Sequence, residues 1–144
     1  MINEVFPSTR NWISKLAVWG TIVVIAVALS FEAQASGPTA VKITLFIFSL
    51  LIVGLLLWIW FGTHYRISGN TLHYRSGPLR GSIPINSIRK IQLNKYLWVG
   101  LRPALGTAGL ILYYNKWDEI YFSPTEKERF VQLLIQVNPK IVVE

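Results

Sequence analysis

Residues 64–75, HYRISGNTLHYR, carry the strongest strand signal of the chain and determine the architecture predicted for residues 62–144. Apolar and polar side chains alternate on both sides of Gly69-Asn70, a pair that favours a two-residue hairpin turn. Side chains that lie directly opposite each other in such a hairpin share one face of the sheet. The stretch therefore predicts a β-hairpin with one buried face and one basic face exposed to water. The basic-type side chains on that face are His64, Arg66, His73 and Arg75.

Turn signals divide the next residues into further strands. We predict a third strand at 79–83, a short turn and a fourth strand at 89–94. Residues 95–108 contain glycine and proline and form the longest irregular segment. A second hairpin is predicted from 109–114 and 117–122, with its turn at Asn115-Lys116.

A helix is predicted after the last strand. Residues 123–126, SPTE, are typical of a helix start, with an N-cap serine, proline at the first helical position and glutamate at the third. Phe130, Leu133, Leu134 and Val137 then recur at helical spacing, and Asn138-Pro139 ends the pattern. An antiparallel sheet with one terminal amphipathic helix indicates an α+β domain or a small barrel.

Two long apolar segments precede this domain. Residues 43–61, ITLFIFSLLIVGLLLWIWF, are uncharged and long enough to cross a hydrocarbon core of about 30 Å. Residues 12–31 form a second apolar segment, and a turn-rich loop separates the two. We therefore predict a membrane anchor over residues 1–61, made of two transmembrane helices, followed by a separate domain over residues 62–144.

The first apolar segment also fits a cleavable signal peptide. Arg10 and Lys15 precede it, and the small residues Ala33 and Ala35 follow it. Whether the first segment is retained or cleaved, the second helix runs from the outside of the membrane toward the cytoplasm. The chain carries a net charge of +7, most of it after residue 61. Basic segments prefer the cytoplasmic side, so we expect a multi-pass protein of the inner, cytoplasmic membrane with its C-terminal domain in the cytoplasm.

The residue inventory argues against an enzyme. The chain has no cysteine and only two histidines, so we expect no metal site and no cofactor. Asp118 and Glu119 are adjacent on a predicted strand and point to opposite faces, so they do not form a catalytic pair. We predict no catalytic residues and no small-molecule substrate. The positive charge alone would suit nucleic acid, but no recognised motif supports that partner.

Two sets of residues are candidates for binding. The basic face described above could hold a phosphate or an anionic lipid headgroup through charge-assisted hydrogen bonds, or it could be a solvated strand face. A second set has the aromatic and cationic character of a membrane interface, although its alternation also fits an ordinary strand. Its members are Trp58, Trp60, Lys95, Tyr96, Trp98 and Arg102.

These landmarks together resemble the YyaB-like family of bacterial PH domains over about residues 62–142. The matching positions are Tyr65-Arg66-Ile67, Leu72, Gly77-Pro78, Ile83-Pro84-Ile85, Ile88, Ile91, Gly109-Leu110, Phe122-Ser123-Pro124, Phe130, Leu133 and Asn138-Pro139. The resemblance implies a strongly bent antiparallel sheet closed by the C-terminal helix, often preceded by two membrane helices. The short turn at Gly69-Asn70 has no lysine, in contrast to the longer basic loop of phosphoinositide-binding PH domains.

The family's biochemical role is largely undefined. We expect a non-enzymatic membrane protein that presents a PH-like interaction module, with the lipid bilayer and a protein in the membrane as its partners. Two alternatives remain open. One is a bacteriocin-immunity or envelope-defence protein, since a related type of membrane protein confers self-immunity to a lantibiotic-like bacteriocin. The other is a domain that senses anionic lipids.

Overall fold

The computed structural model describes residues 2–95 and 100–144 and has two parts, a pair of long helices and a β-rich domain. Helix α1 spans Trp12–Gln34 and helix α2 spans Thr39–Gly62. Both are long and apolar enough to cross a membrane, and only 6% of each apolar window is buried. Both helices extend beyond the predicted segments at the turn between them, where Lys42 donates hydrogen bonds to the carbonyls of Ala33 and Ala35.

The first sheet has four antiparallel strands in the order β1-β2-β3-β4. They are β1 (Asn3–Pro7), β2 (His64–Ser68), β3 (Thr71–Ser76) and β4 (Leu79–Pro84). The predicted hairpin is confirmed, including its register, because His64 pairs with Arg75 and Arg66 with His73. Gly69 has a φ of 57°, as this turn requires.

Strand β1 is an addition that the sequence analysis did not foresee. It precedes α1, yet it pairs with β2 along its whole length and places Phe6 in the domain core at 2% exposure. The Phe6 ring meets Phe130 edge-on with ring centres 5.3 Å apart. The predicted boundary at residue 62 therefore leaves out a strand of the domain, and the two helices are inserted between β1 and β2.

The second sheet has the order β7-β6-β5-β8. A 3₁₀ turn at Ile85–Ser87 leads into β5 (Ile88–Leu93), followed by β6 (Leu110–Tyr114), β7 (Asp118–Phe122) and β8 (Val142–Val143). The hairpin between β6 and β7 turns over three residues instead of the two predicted, since Tyr114 pairs with Asp118. Strand β8 runs parallel to β5 and was not predicted.

Helix α3 (Lys127–Val137) packs its predicted apolar face into the core shared by both sheets. Asn138 ends it and donates to the carbonyls of Ile85 and Ile88. The predicted N-cap at Ser123 was wrong: the cap is Glu126, whose side chain makes no capping hydrogen bond. Ser123 is instead buried and bonded to the Ser8 hydroxyl and the Gly106 N–H, so tertiary contacts hold it in the extended chain before the helix.

Candidate anion-binding face

The outer face of β2, β3 and β4 forms an open concavity of about 830 Å³. All four basic-type residues predicted for this face line it, because paired residues of antiparallel strands point to the same side. Tyr65, Ile67 and Leu72 alternate with these residues along the strands and are fully buried on the opposite face of the sheet. The full lining is His64, Arg66, Ser68, His73, Tyr74, Arg75, Arg80, Gly81 and Ser82.

Strand β4 adds a third arginine that the sequence analysis missed. Arg80 lies opposite Arg75, and Ser82 lies opposite His73. The signal was present in the two-residue turn at Gly77-Pro78, whose register sets Arg80 beside Arg75 in the same way as the first turn sets the other pairs. The arginines Arg66, Arg75 and Arg80, with His64 and His73, are called the basic face below.

No carboxylate belongs to the lining of the concavity among the described residues. Two ion pairs occur among the described residues, and both lie outside the concavity. Arg129 binds Glu4 at 2.7 Å, and Lys90 binds Glu144 at 2.8 Å. Three guanidinium groups on one surface without a neutralising acid repel each other. They also offer forked donors that match the oxygens of a phosphate or carboxylate group.

The basic face begins directly at the end of α2. The Thr63 and Ser76 hydroxyls are 3.0 Å apart in the buried space between α2 and the turn that joins β3 to β4. Gly77 of that turn lies so close to α2 that a Cβ atom there would come within 2.7 Å of Ile59 Cγ1. We call this contact of Ile59, Thr63, Ser76 and Gly77 the junction. It leaves no flexible linker between the helix and the sheet.

The residues of the basic face fall into two rows at different distances from the junction. His64, Arg75 and Arg80 form the first row, and Arg66, His73 and Ser82 form the second. Successive residues on one face of a strand are about 7 Å apart, so the second row lies about that much farther from the helix end.

The second predicted set, the membrane-interface residues, is only partly brought together. Trp58 is half exposed and Lys95 is exposed, whereas Trp60 is 5% exposed and packs edge-on against Trp19. Trp60 therefore belongs to the contact between α1 and α2. Arg102 lies over the Tyr121 ring at 5.1 Å. Tyr96 and Trp98 lie outside the described residues.

Arg10, which the sequence analysis used only as a flanking charge, contacts the end of α2. Its guanidinium donates to the Trp60 carbonyl at 2.9 Å and lies over the Trp60 and Phe61 rings. A cation at a helix C-terminus stabilises the unpaired carbonyls there. Arg10 thus ties the start of α1 to the end of α2.

A buried cluster of hydroxyl groups links β1 to the loop before β6. The Tyr65 hydroxyl donates to the Pro103 carbonyl at 2.7 Å and accepts from the Ser123 N–H at 3.2 Å. The Ser8 hydroxyl accepts from the Leu105 N–H at 3.0 Å. Burial raises the pKa of the Tyr65 phenol, so that it stays neutral and able to donate.

Tyr65→Phe is expected to lower the free energy of unfolding by about 1–3 kcal/mol, because it leaves two buried backbone groups without their partner. Denaturant unfolding of the detergent-solubilised protein measures this. Tyr113→Phe is the matched control, since its hydroxyl bonds the Gln92 side chain at a partly exposed position. Equal losses in the two variants would contradict a structural role for the buried cluster.

The fold and site define a small α+β domain with a basic sheet face, joined to two long apolar helices. Residues 63–138 match the family model described as "Bacterial PH domain", which covers just over half of the chain. The chain therefore belongs to the bacterial PH domain family, and the resemblance noted in the sequence is confirmed.

One curated relative extends the similarity beyond the domain. The chain is 25% identical over 130 residues to "Uncharacterized protein YyaB" of Bacillus subtilis (strain 168), covering 85% of this chain and 89% of that protein. No solved structure matches the chain. The YyaB-like character thus includes part of the helical region as well as the domain.

Proposed function

We propose that this chain is a non-enzymatic integral protein of the inner membrane that presents its PH-like domain as an interaction module at the cytoplasmic surface. The observation that carries the proposal is the junction. It holds the basic face at a set distance from the end of a helix suited to cross the membrane.

The dimensions and exposure of the helices support a membrane location. Helices α1 and α2 have 23 and 24 residues, so each is about 35 Å long. This length spans a hydrocarbon core of about 30 Å. Trp12, Trp58 and Phe61 are exposed at the end of the helix pair that faces the domain, where aromatic rings favour the headgroup boundary.

The insertion of the helices between β1 and β2 supports the proposed topology. Both ends of the helix pair lead into the same sheet, so the N-terminal strand and the domain lie on one side of the bilayer. The excess of basic residues in the domain favours the cytoplasmic side. The same connectivity argues for retention of α1, since a cut after Ala35 would separate β1 from the rest of the chain.

The topology can be tested with single cysteines, because the chain has none of its own. Ser36→Cys places a thiol in the turn between the helices, and Asn70→Cys places one in the exposed hairpin turn. We expect a membrane-impermeant maleimide to label Ser36→Cys in intact cells, and Asn70→Cys only after permeabilisation. The unmodified chain is the blank. Labelling of Asn70→Cys in intact cells would contradict the proposal.

The interaction role is tested by affinity capture from detergent-solubilised membranes. The bait is the full chain, compared with the same chain carrying Arg66→Gln, Arg75→Gln and Arg80→Gln. A protein held by the first bait and lost from the second supports an interaction module that uses the basic face. Selective capture of a small secreted toxin would instead favour the immunity alternative.

A further inference from the structure

We infer that the basic face binds the anionic headgroups of the same bilayer that holds α1 and α2. This inference rests on the proposed function, because it requires the helices to be inserted and the domain to lie at the membrane surface. The ligand class is a phospholipid with a net negative headgroup, and the contacting groups are the guanidiniums of Arg75 and Arg80, followed by that of Arg66.

The chemistry of the face suits a phosphate ester. Its three arginines project from neighbouring strands, and no carboxylate from the described residues lines the concavity. Arginine binds phosphate with paired N–H donors, and the Ser68 and Ser82 hydroxyls offer further donors at the same surface. An open volume of about 830 Å³ admits a headgroup from the side without any movement of the sheet.

The position of the first row suits a lipid in particular. The headgroup layer on each side of the hydrocarbon core is about 5–8 Å thick. Arg75 and Arg80 are the neighbours of Ser76 and Leu79 in the turn that contacts α2, so they lie within about 7 Å of the junction along the strands. With Trp58 and Phe61 at the hydrocarbon boundary, the first row falls inside the headgroup layer.

The two rows of basic residues allow binding of a lipid headgroup to be distinguished from binding of a free anion. A soluble phosphate can reach either row, so all three arginines would contribute alike to its binding. A headgroup is held at one depth by its acyl chains, and the first row is closer to that depth. We therefore expect loss of Arg75 and Arg80 to reduce lipid selectivity more than loss of Arg66.

The experiment uses the full chain reconstituted in nanodiscs that contain equal amounts of phosphatidylglycerol and phosphatidylcholine. After transfer into detergent, native mass spectrometry counts the lipids that each protein retains. We expect several-fold more phosphatidylglycerol than phosphatidylcholine on the wild type. Arg75→Gln with Arg80→Gln should bring that ratio close to one, since each basic residue at a membrane surface contributes to the attraction for anionic lipid.

The matched control is Arg89→Gln with Lys116→Gln, which removes the same charge from exposed positions. These residues lie at the end of the domain away from the junction, because the Ile85 N–H donates to the Asn70 carbonyl in the hairpin turn and the Asn115 N–H to the Ser87 carbonyl. There the Arg89 guanidinium donates to the Lys116 carbonyl at 2.9 Å. The control should keep the wild-type ratio, and Arg66→Gln should give a smaller loss than the double variant. An unchanged ratio in the Arg75 and Arg80 variant would overturn the inference.

A final arm separates the other outcomes. Inorganic phosphate that raises the unfolding temperature of the wild type, without any lipid selectivity, would show a soluble anion site and overturn the lipid assignment. Maleimide labelling of Asn70→Cys is repeated in each arginine variant. Correct topology with no selectivity defeats this inference alone, whereas external labelling of Asn70→Cys defeats the proposed function itself.

Discussion

Phe6→Ala is expected to lower the free energy of unfolding of the domain by about 3–5 kcal/mol, the cost of removing a buried aromatic ring from a packed core. Phe6 is 2% exposed and packs on Phe130. Backbone hydrogen bonds also join the N-terminal segment to the chain before α3, since the Thr9 N–H donates to the Ser123 carbonyl and the Thr125 N–H to the Pro7 carbonyl. A residue that precedes both long helices thus stabilises the domain that follows them.

Denaturant unfolding of the detergent-solubilised chain, followed by near-UV circular dichroism, measures this loss. Val5→Ala is the control on the same strand, because Val5 is 52% exposed and points away from the core. Its effect should stay within about 0.5 kcal/mol. If Phe6→Ala were as mild as Val5→Ala, β1 would not be an integral strand of the domain.

The Phe6 result also bears on the signal-peptide alternative. Cleavage after α1 would remove the ring from the core and leave the edge of β2 unpaired. An unpaired edge strand is a template for aggregation. A large loss in Phe6→Ala would therefore favour a retained α1, because the mature domain would need the residues on the far side of the cut.

Local signals explain which parts of the fold could be predicted. The hairpin of β2 and β3 follows from alternation and one turn, so its register and the four basic-type side chains on its exposed side were predicted correctly. The apolar face of α3 follows from helical spacing and packs as expected. In both elements, the residues that decide the structure lie within about ten positions of one another.

Distant partners explain the errors. Strand β1 pairs with a segment that lies beyond two long helices, and β8 has only two residues, so neither has a local signal. Ser123 has the sequence pattern of an N-cap, but its hydroxyl bonds to the Ser8 hydroxyl, 115 positions away, instead of capping the helix. Arg80 differs from these cases, because the two-residue turn at Gly77-Pro78 is a local signal that sets Arg80 opposite Arg75.

The second large effect is expected at the junction. Gly77 has a φ of +58°, a conformation that costs a residue with a Cβ atom about 1–2 kcal/mol. A Cβ atom there would also lie 2.7 Å from Ile59 Cγ1 and 3.3 Å from the Ile59 backbone. Gly77→Ala should therefore lower the free energy of unfolding by about 2–4 kcal/mol in the same assay.

Two further variants separate the conformational cost of the positive φ at Gly77 from the steric cost of the contact with Ile59. Gly37→Ala, where nothing lies within 4 Å of an added Cβ atom, should have little effect. Ile59→Ala combined with Gly77→Ala removes the contact with Ile59 Cγ1, so relative to Ile59→Ala alone the added methyl group should cost less and keep the conformational part of the loss. Because the junction sets the depth of Arg75 and Arg80, Gly77→Ala should also weaken phosphatidylglycerol retention without changing any charge. Full retention in a destabilised Gly77→Ala protein would show that the basic face binds lipid independently of its distance from α2.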